Sequence, residues 1–228
     1  MPNFHPDTAL LVDYASGSAH RAQAICLSTH LSFCAQCAQQ VRHLEELGGD
    51  LALTEPAALS SGLLDKTLAT LDSAEPPTPR PTAQARQIEG RTDLLNGQSA
   101  LPELVQKLIT GIPAPAAWRK LSNSVSMARL PTGQKDYEVA LQRICAGGKT
   151  PHHGHTGDEF TVVLQGSFSD EDGIYSAGDF LYRGPGEVHQ PLGALHEDCI
   201  CLTAVSARIK LRSWFDWLFA PLLRIKPM

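Results

Sequence analysis

Residues 147–166, GGKTPHHGHTGDEFTVVLQG, decide the fold class of the second half of this chain. The side chains of His153 and His155 are two positions apart, so on one strand they point to the same side. Glu159 follows a short turn and opens the apolar run Phe160–Leu164. Gly166 then punctuates the strand. Downstream, Gly178-Asp179 and Pro185-Gly186 lead to His189, which returns on a later strand. Three imidazoles and one carboxylate, His153, His155, Glu159 and His189, are a donor set for zinc, iron, manganese or nickel, and ligand type alone does not choose among them. A histidine-rich surface loop would account for His152–His155 but not for Glu159, Gly166 and His189 at their offsets. His152 and His196 fit no ligand position and read as surface histidines.

The pattern around this core is also β. Tyr137–Ile144 alternates in polarity, and Asp179–Tyr182 and Cys199–Val205 are short strands between Gly, Pro and Asp turns. Short strands at regular spacing indicate a sandwich or barrel. Cys199 and Cys201 share one strand face and are candidate redox reporters. Neighbouring positions on one strand rarely form an unstrained disulfide, so two buried structural thiols are the competing reading.

Upstream the periodicity changes. Asp7 precedes ALLVDYASG, with Gly17 as a stop signal. Arg21–His30 and Cys34–Leu47 are two further apolar-periodic runs, the second ended by Gly48-Gly49, and Ala57–Leu71 carries a leucine stripe. Pro102–Ile109 is a short helix. His30, Cys34 and Cys37 (HLSFCAQC, residues 30–37) stand at i, i+4 and i+7, one face of a helix. His5, with 24 residues between it and His30, completes a closed set of two thiolates and two imidazoles, the kind zinc takes in structural sites. Such a metal would pin the N-terminus and supply folding energy to helices that make a poor core alone. Cys34, Cys37, Val41 and Leu44 also form a helical stripe, so simple burial is the alternative. A redox CxxC normally accompanies a βαβ pattern, which is absent.

Between the halves, Ser73–Pro81 holds four prolines in nine residues and reads as a linker. The organisation is therefore a helical segment at 1–72, a Pro-rich linker at 73–100 and a β-domain at 101–228. Residues 1–80 carry nine acidic and four basic side chains and hence the whole net charge of −5, the rest being balanced. An acidic helical module is a poor nucleic-acid binder and suits a basic, nucleic-acid-binding protein partner, although a solvated face has the same composition. The N-terminus has no basic n-region or apolar h-region, and no stretch reaches the ~20 apolar residues of a membrane span. Six cysteines without a secretory signal point to a reducing cytoplasm and to metal or redox roles. The apolar segment Trp214–Ile225, interrupted by Pro221, reads as a cap on the β-domain or at a dimer interface. A membrane-surface helix flanked by Arg208, Lys210, Arg212, Arg224 and Lys226 is the sharper alternative.

The order of these features resembles the ChrR-type zinc-binding anti-sigma factors with a C-terminal cupin domain. HLSFCAQC carries the anti-sigma part, HGHTGDEFTVVLQGSF the cupin part, and DCICL (198–202) with the apolar tail matches the same subgroup. The resemblance implies an α + β multidomain fold: a small zinc-stapled helical domain, then an all-β cupin, a double-stranded β-helix or jelly roll. It implies zinc at His5, His30, Cys34 and Cys37, and a metal, expected to be zinc, at His153, His155, Glu159 and His189. The partner it implies is an extracytoplasmic-function sigma factor, gripped by the helices over the surfaces used for core RNA polymerase. Release would follow singlet oxygen or organic hydroperoxide, through the cupin. The protein would be cytoplasmic, not an enzyme, free of direct nucleic-acid and membrane contacts, and capable of homodimerising. One departure is Gly193, where cupins often place an Asn after the final His. A metal-dependent cupin oxidoreductase of dioxygenase type with an accessory zinc domain is the alternative reading.

Overall fold

The computed structural model describes residues 1–53, 60–73, 101–110, 118–206 and 210–211. Five helices come first: α1 (Thr8–Ala15), α2 (Arg21–Leu31), α3 (Ala35–Ala52), α4 (Leu63–Ser73) and α5 (Glu103–Thr110). Twelve strands follow: β1 (Arg119–Lys120), β2 (Val125–Arg129), β3 (Glu138–Ile144), β4 (His153–Gly154), β5 (Glu159–Gln165), β6 (Ser167–Asp170), β7 (Gly173–Ser176), β8 (Phe180–Arg183), β9 (Val188–His189), β10 (Leu192–Gly193), β11 (Cys199–Val205) and β12 (Lys210–Leu211). Most of the linker, the start of the leucine stripe at 57–59 and the apolar segment at 214–225 lie outside the described residues. No helix among the described residues is long and apolar enough to cross a membrane.

The strands pair antiparallel throughout. One sheet has the order β1-β2-β3-β11-β5-β8, and two three-stranded sheets, β10-β6-β7 and β12-β4-β9, complete a cupin-like jelly roll. Ile144, Val163, Phe168, Tyr175, Leu181, Cys199 and Cys201 form the core between the large sheet and β6–β7. Gly166 (φ 68°) makes the β5–β6 turn, where a Cβ would collide with the Asp198 carbonyl.

The large sheet is apolar on both faces. Along β5, Glu159 and Val163 point one way while Phe160, Val162 and Leu164, all buried, point the other. Leu202 and Ala204 of β11 stand beside Val162 and Phe160 in that outer layer. Helix α2 covers it, contacting β5, β8 and β11, with the Cys26 thiol directed at the Phe160 carbonyl. Helix α5 packs in turn on α2 through buried Val105 and Ile109. The chain accordingly divides into two compact units: residues 1–46 together with 100–228, and residues 47–99. In the second unit, α4 has no buried residue.

Two local expectations need correction. Gly48-Gly49 does not stop α3, which runs on to Ala52. Both glycines lack the positive φ of a helix stop, and an interior glycine costs only about 1 kcal/mol relative to alanine. His30, Cys34 and Cys37 do not lie on one helix, because α2 ends at Leu31 and α3 begins at Ala35. The break is short, and the Cys34 amide still donates to the His30 carbonyl at 3.0 Å, so the i, i+4 relation survives.

Candidate metal centres

The first cluster forms where the N-terminal segment crosses the α2–α3 break. One donor atom from each of His5, His30, Cys34 and Cys37 lies within 4.8 Å of all the others. His5 Nδ1 is 3.4 Å from the sulfurs of both Cys34 and Cys37. His5 is exposed, and the other three are buried. The Nδ1 of His30 donates to the Gly178 carbonyl at 2.7 Å. That bond fixes the tautomer and leaves Nε2 with a lone pair, buried and without a hydrogen-bond partner. Burial lowers the His30 pKa and keeps the ring neutral. Burial, helped by the neighbouring Cys34, pushes the Cys37 thiol up to about 12. A dication is the charge that reverses this and makes thiolates there. The donor set fits a tetrahedral Cys2His2 metal site.

The second cluster sits where β4 and β9 face the start of β5. His153 and His189 are register partners across those two strands. Their Nε2 atoms are 3.1 Å apart, and His189 Nε2 is also 3.1 Å from His155 Nε2. The Glu159 Oε2 lies 3.1 Å from His155 and 3.9 Å from His189, with no hydrogen-bond partner of its own. All four side chains are buried. The Nδ1 of His153 donates to the Pro151 carbonyl at 2.8 Å, and that of His189 to Asp170 Oδ2 at 3.1 Å. Both Nε2 lone pairs therefore point inward, an arrangement that a cation stabilises and that its absence does not.

The electrostatics agree. Burial, then the neighbouring imidazoles, lowers His153 to about 4 and His155 to about 3. Burial likewise lowers His189. Burial raises Glu159 to about 7, against the pull of Arg183. Around His189 stands a further layer. Burial alone would raise Asp170, but hydrogen bonds from Arg183, His189, the Asp172 amide and Tyr175 outweigh it and hold the carboxylate ionised. Arg183 binds Asp170 at 2.9 Å and Asp172 at 3.0 Å.

All eight sequence-derived ligands thus fall into the two expected groups. Cys199 and Cys201 face the barrel core with their sulfurs 3.6 Å apart, as free thiols. The Cys199 thiol and burial push Cys201 well above the usual thiol range. Exposed His196 and half-buried His152 belong to neither cluster. Sequence reasoning missed Asp170, Tyr175 and Arg183. Asp170 and Asp172 read as turn residues before Gly173, and nothing in their spacing marks an outer shell. It also missed the backbone carbonyl of Gly178, which no side-chain motif encodes.

The chain resembles known proteins in both sequence and structure. Residues 106–207 match the ChrR cupin-like domain family. The anti-sigma-E factor ChrR of Cereibacter sphaeroides is 36% identical over 222 residues, 97% of this chain and 98% of the relative. The crystal structure of Rhodobacter sphaeroides SigE in complex with the anti-sigma ChrR contains a chain 33% identical to this one. It superposes with a TM-score of 0.69, covering 89% of this chain and 98% of that one. A helical metal-ligand cluster, a cupin barrel with a second cluster and likeness along nearly the whole length lead to one conclusion: the chain belongs to the ChrR family of anti-sigma factors.

Proposed function

We propose that this chain sequesters an extracytoplasmic-function sigma factor through its zinc-bound N-terminal helices, and releases it on an oxidative signal received by the cupin. The observation that carries this reading is the full-length likeness to a chain solved in complex with SigE. Surface chemistry supports it. Leu47, Leu51 and Leu53 at the end of α3, and Leu63, Leu64, Leu68 and Leu71 of α4, are 42–77% exposed. A leucine stripe left in water is a docking surface rather than a core. The acidic balance of residues 1–80 suits a basic partner.

Zinc in the first cluster would cross-link residue 5 to the α2–α3 break and supply folding energy. His30 is held for that purpose by Gly178, and Cys34 and Cys37 by the first turn of α3. In the cupin, His153, His155, Glu159 and His189 would hold zinc, or iron, manganese or nickel. The protein is then a cytoplasmic regulator, and its cupin a receptor domain rather than a catalyst. Singlet oxygen or an organic hydroperoxide is the class of signal, with Cys199 and Cys201 as reporters of its arrival.

The test is co-expression of the chain with the sigma factor encoded nearest its gene, followed by pull-down. Capture that a zinc chelator or Cys34→Ser/Cys37→Ser abolishes is the expected result. A folded, zinc-loaded chain that captures no sigma factor refutes it and shifts weight to a dioxygenase-like cupin, assayed by hydroperoxide turnover with Glu159→Ala as control.

A further inference from the structure

A short run of contacts joins the two metal clusters through the residues that precede α1. His5 belongs to the first cluster, and its neighbour Phe4 packs edge-on against Tyr175 with ring centroids 4.6 Å apart. The Tyr175 hydroxyl donates to Asp170 Oδ1 at 2.9 Å. The other oxygen of the same carboxylate holds His189 Nδ1 at 3.1 Å, on the ring whose Nε2 enters the second cluster. The backbone of this segment is also fixed. Asp179 Oδ1 accepts from the amides of Asn3 (2.6 Å) and Phe4 (3.0 Å). The Phe180 amide donates to the Phe4 carbonyl at 3.0 Å, along the edge of β8. Pro2 and Phe33 come so close to Gly178 that an added Cβ would lie 2.8 Å from each.

We propose that Pro2–His5 is a strap that couples the two sites, so that filling the His153–His155–Glu159–His189 set tightens metal binding at the His5–His30–Cys34–Cys37 set. Without a cation the Nε2 atoms of His153 and His189, whose Nδ1 atoms both donate outward, face each other at 3.1 Å, lone pair to lone pair. A bound cation replaces that repulsion with attraction and fixes the His189 ring. The ring fixes Asp170, Asp170 orients Tyr175, and Tyr175 is the wall against which Phe4 rests. Phe4 packs against the barrel core, where close packing transmits small displacements instead of absorbing them. Its position sets that of His5 one residue on. Such coupling is reciprocal, so a metal in the thiolate site tightens the cupin site by the same factor. The proposal rests on the reading that both clusters hold metal.

The experiment is a Co2+ titration of the full chain. Only the first cluster contains sulfur, so thiolate-to-cobalt charge-transfer absorption reports that site alone. In Glu159→Ala, which removes a cupin ligand, the thiolate site is expected to bind Co2+ about fivefold or more weakly than in the wild type, the lower end of ordinary coupling. Phe4→Ala keeps all eight ligands and is expected to weaken the same site, with no further loss when Glu159→Ala is added. Tyr175→Phe removes one hydroxyl, is read alongside, and is expected to behave as Phe4→Ala does. Equal affinities in wild type and Glu159→Ala, or losses that simply add in the double variant, overturn the strap while leaving the metal reading intact. Absence of any thiolate band overturns the metal reading and the strap with it.

Discussion

Asp170 is the residue that holds the cupin cluster in shape. It receives His189, Arg183 and Tyr175 on two oxygens, so Asp170→Asn removes one charge from three contacts at once. Outer-shell changes of this kind lower metal affinity roughly 10–100-fold. Competition with a chromophoric chelator should show that loss at the cupin cluster of Asp170→Asn, and because Asp170 joins His189 to Tyr175, the thiolate cluster should bind Co2+ more weakly too, read by thiolate-to-cobalt absorption. Glu159 governs the pH response. In the metal-free fold His153 and His155, lowered to about 4 and about 3, are already neutral at pH 6, whereas Glu159, raised to about 7, is mostly protonated. Metal binding at pH 6 should therefore release about one proton, from Glu159, and cupin-site affinity should fall about tenfold per pH unit below 7. Calorimetry in buffers of different ionisation enthalpy measures that proton. Release of two or three would mean that the histidines titrate instead. The eight candidate donors, which the fold gathers into two groups, were legible because each is chemically unusual at its spacing, whereas Asp170 and Arg183 are ordinary surface residue types until the barrel closes around them.

The helices divide by what their apolar faces meet. Leu27 of α2 is fully buried, so Leu27→Ala should cost about 2–5 kcal/mol, read from urea unfolding of the full chain. Leu64 and Leu71 of α4 are 69% and 65% exposed. Leu64→Asp/Leu71→Asp should therefore leave the unfolding midpoint unchanged and yet abolish sigma-factor capture in the pull-down. Destabilisation by that pair would place α4 in a core. The leucine stripe of α4 was visible as periodicity, but periodicity reports a face, not its occupant. For α3, the glycine pair suggested a stop that backbone φ alone contradicts. Four of the twelve described strands, β3, β5, β8 and β11, were read to within one residue at either end, because β-branched runs between glycine turns leave little choice of register, while the shorter strands were not bounded.

For the whole molecule, α2 is part of the cupin's structure. It covers Phe160, Val162, Leu202 and Ala204, a second hydrophobic face that an isolated barrel would leave in water. A fragment comprising residues 100–228 should consequently self-associate on size-exclusion chromatography, and adding residues 1–46 in the intact chain should restore a defined species. A well-behaved monomeric fragment would count against this role of α2.

The sequence by itself determined the two donor sets, the change from helical to strand periodicity and the turn positions. These follow from local chemistry: ligand side chains are scarce, and period and punctuation act over a few residues. Only the tertiary structure decided that helix α2 lies on the outer face of the large sheet, that the Gly178 carbonyl orients His30, and that Asp170, Tyr175 and Phe4 stand between the two candidate metal clusters. The contacts that tie the N-terminal segment to the barrel join residues far apart in the chain, 148 positions in the His30–Gly178 bond. They depend on which apolar faces meet when the chain closes, and no local pattern records that.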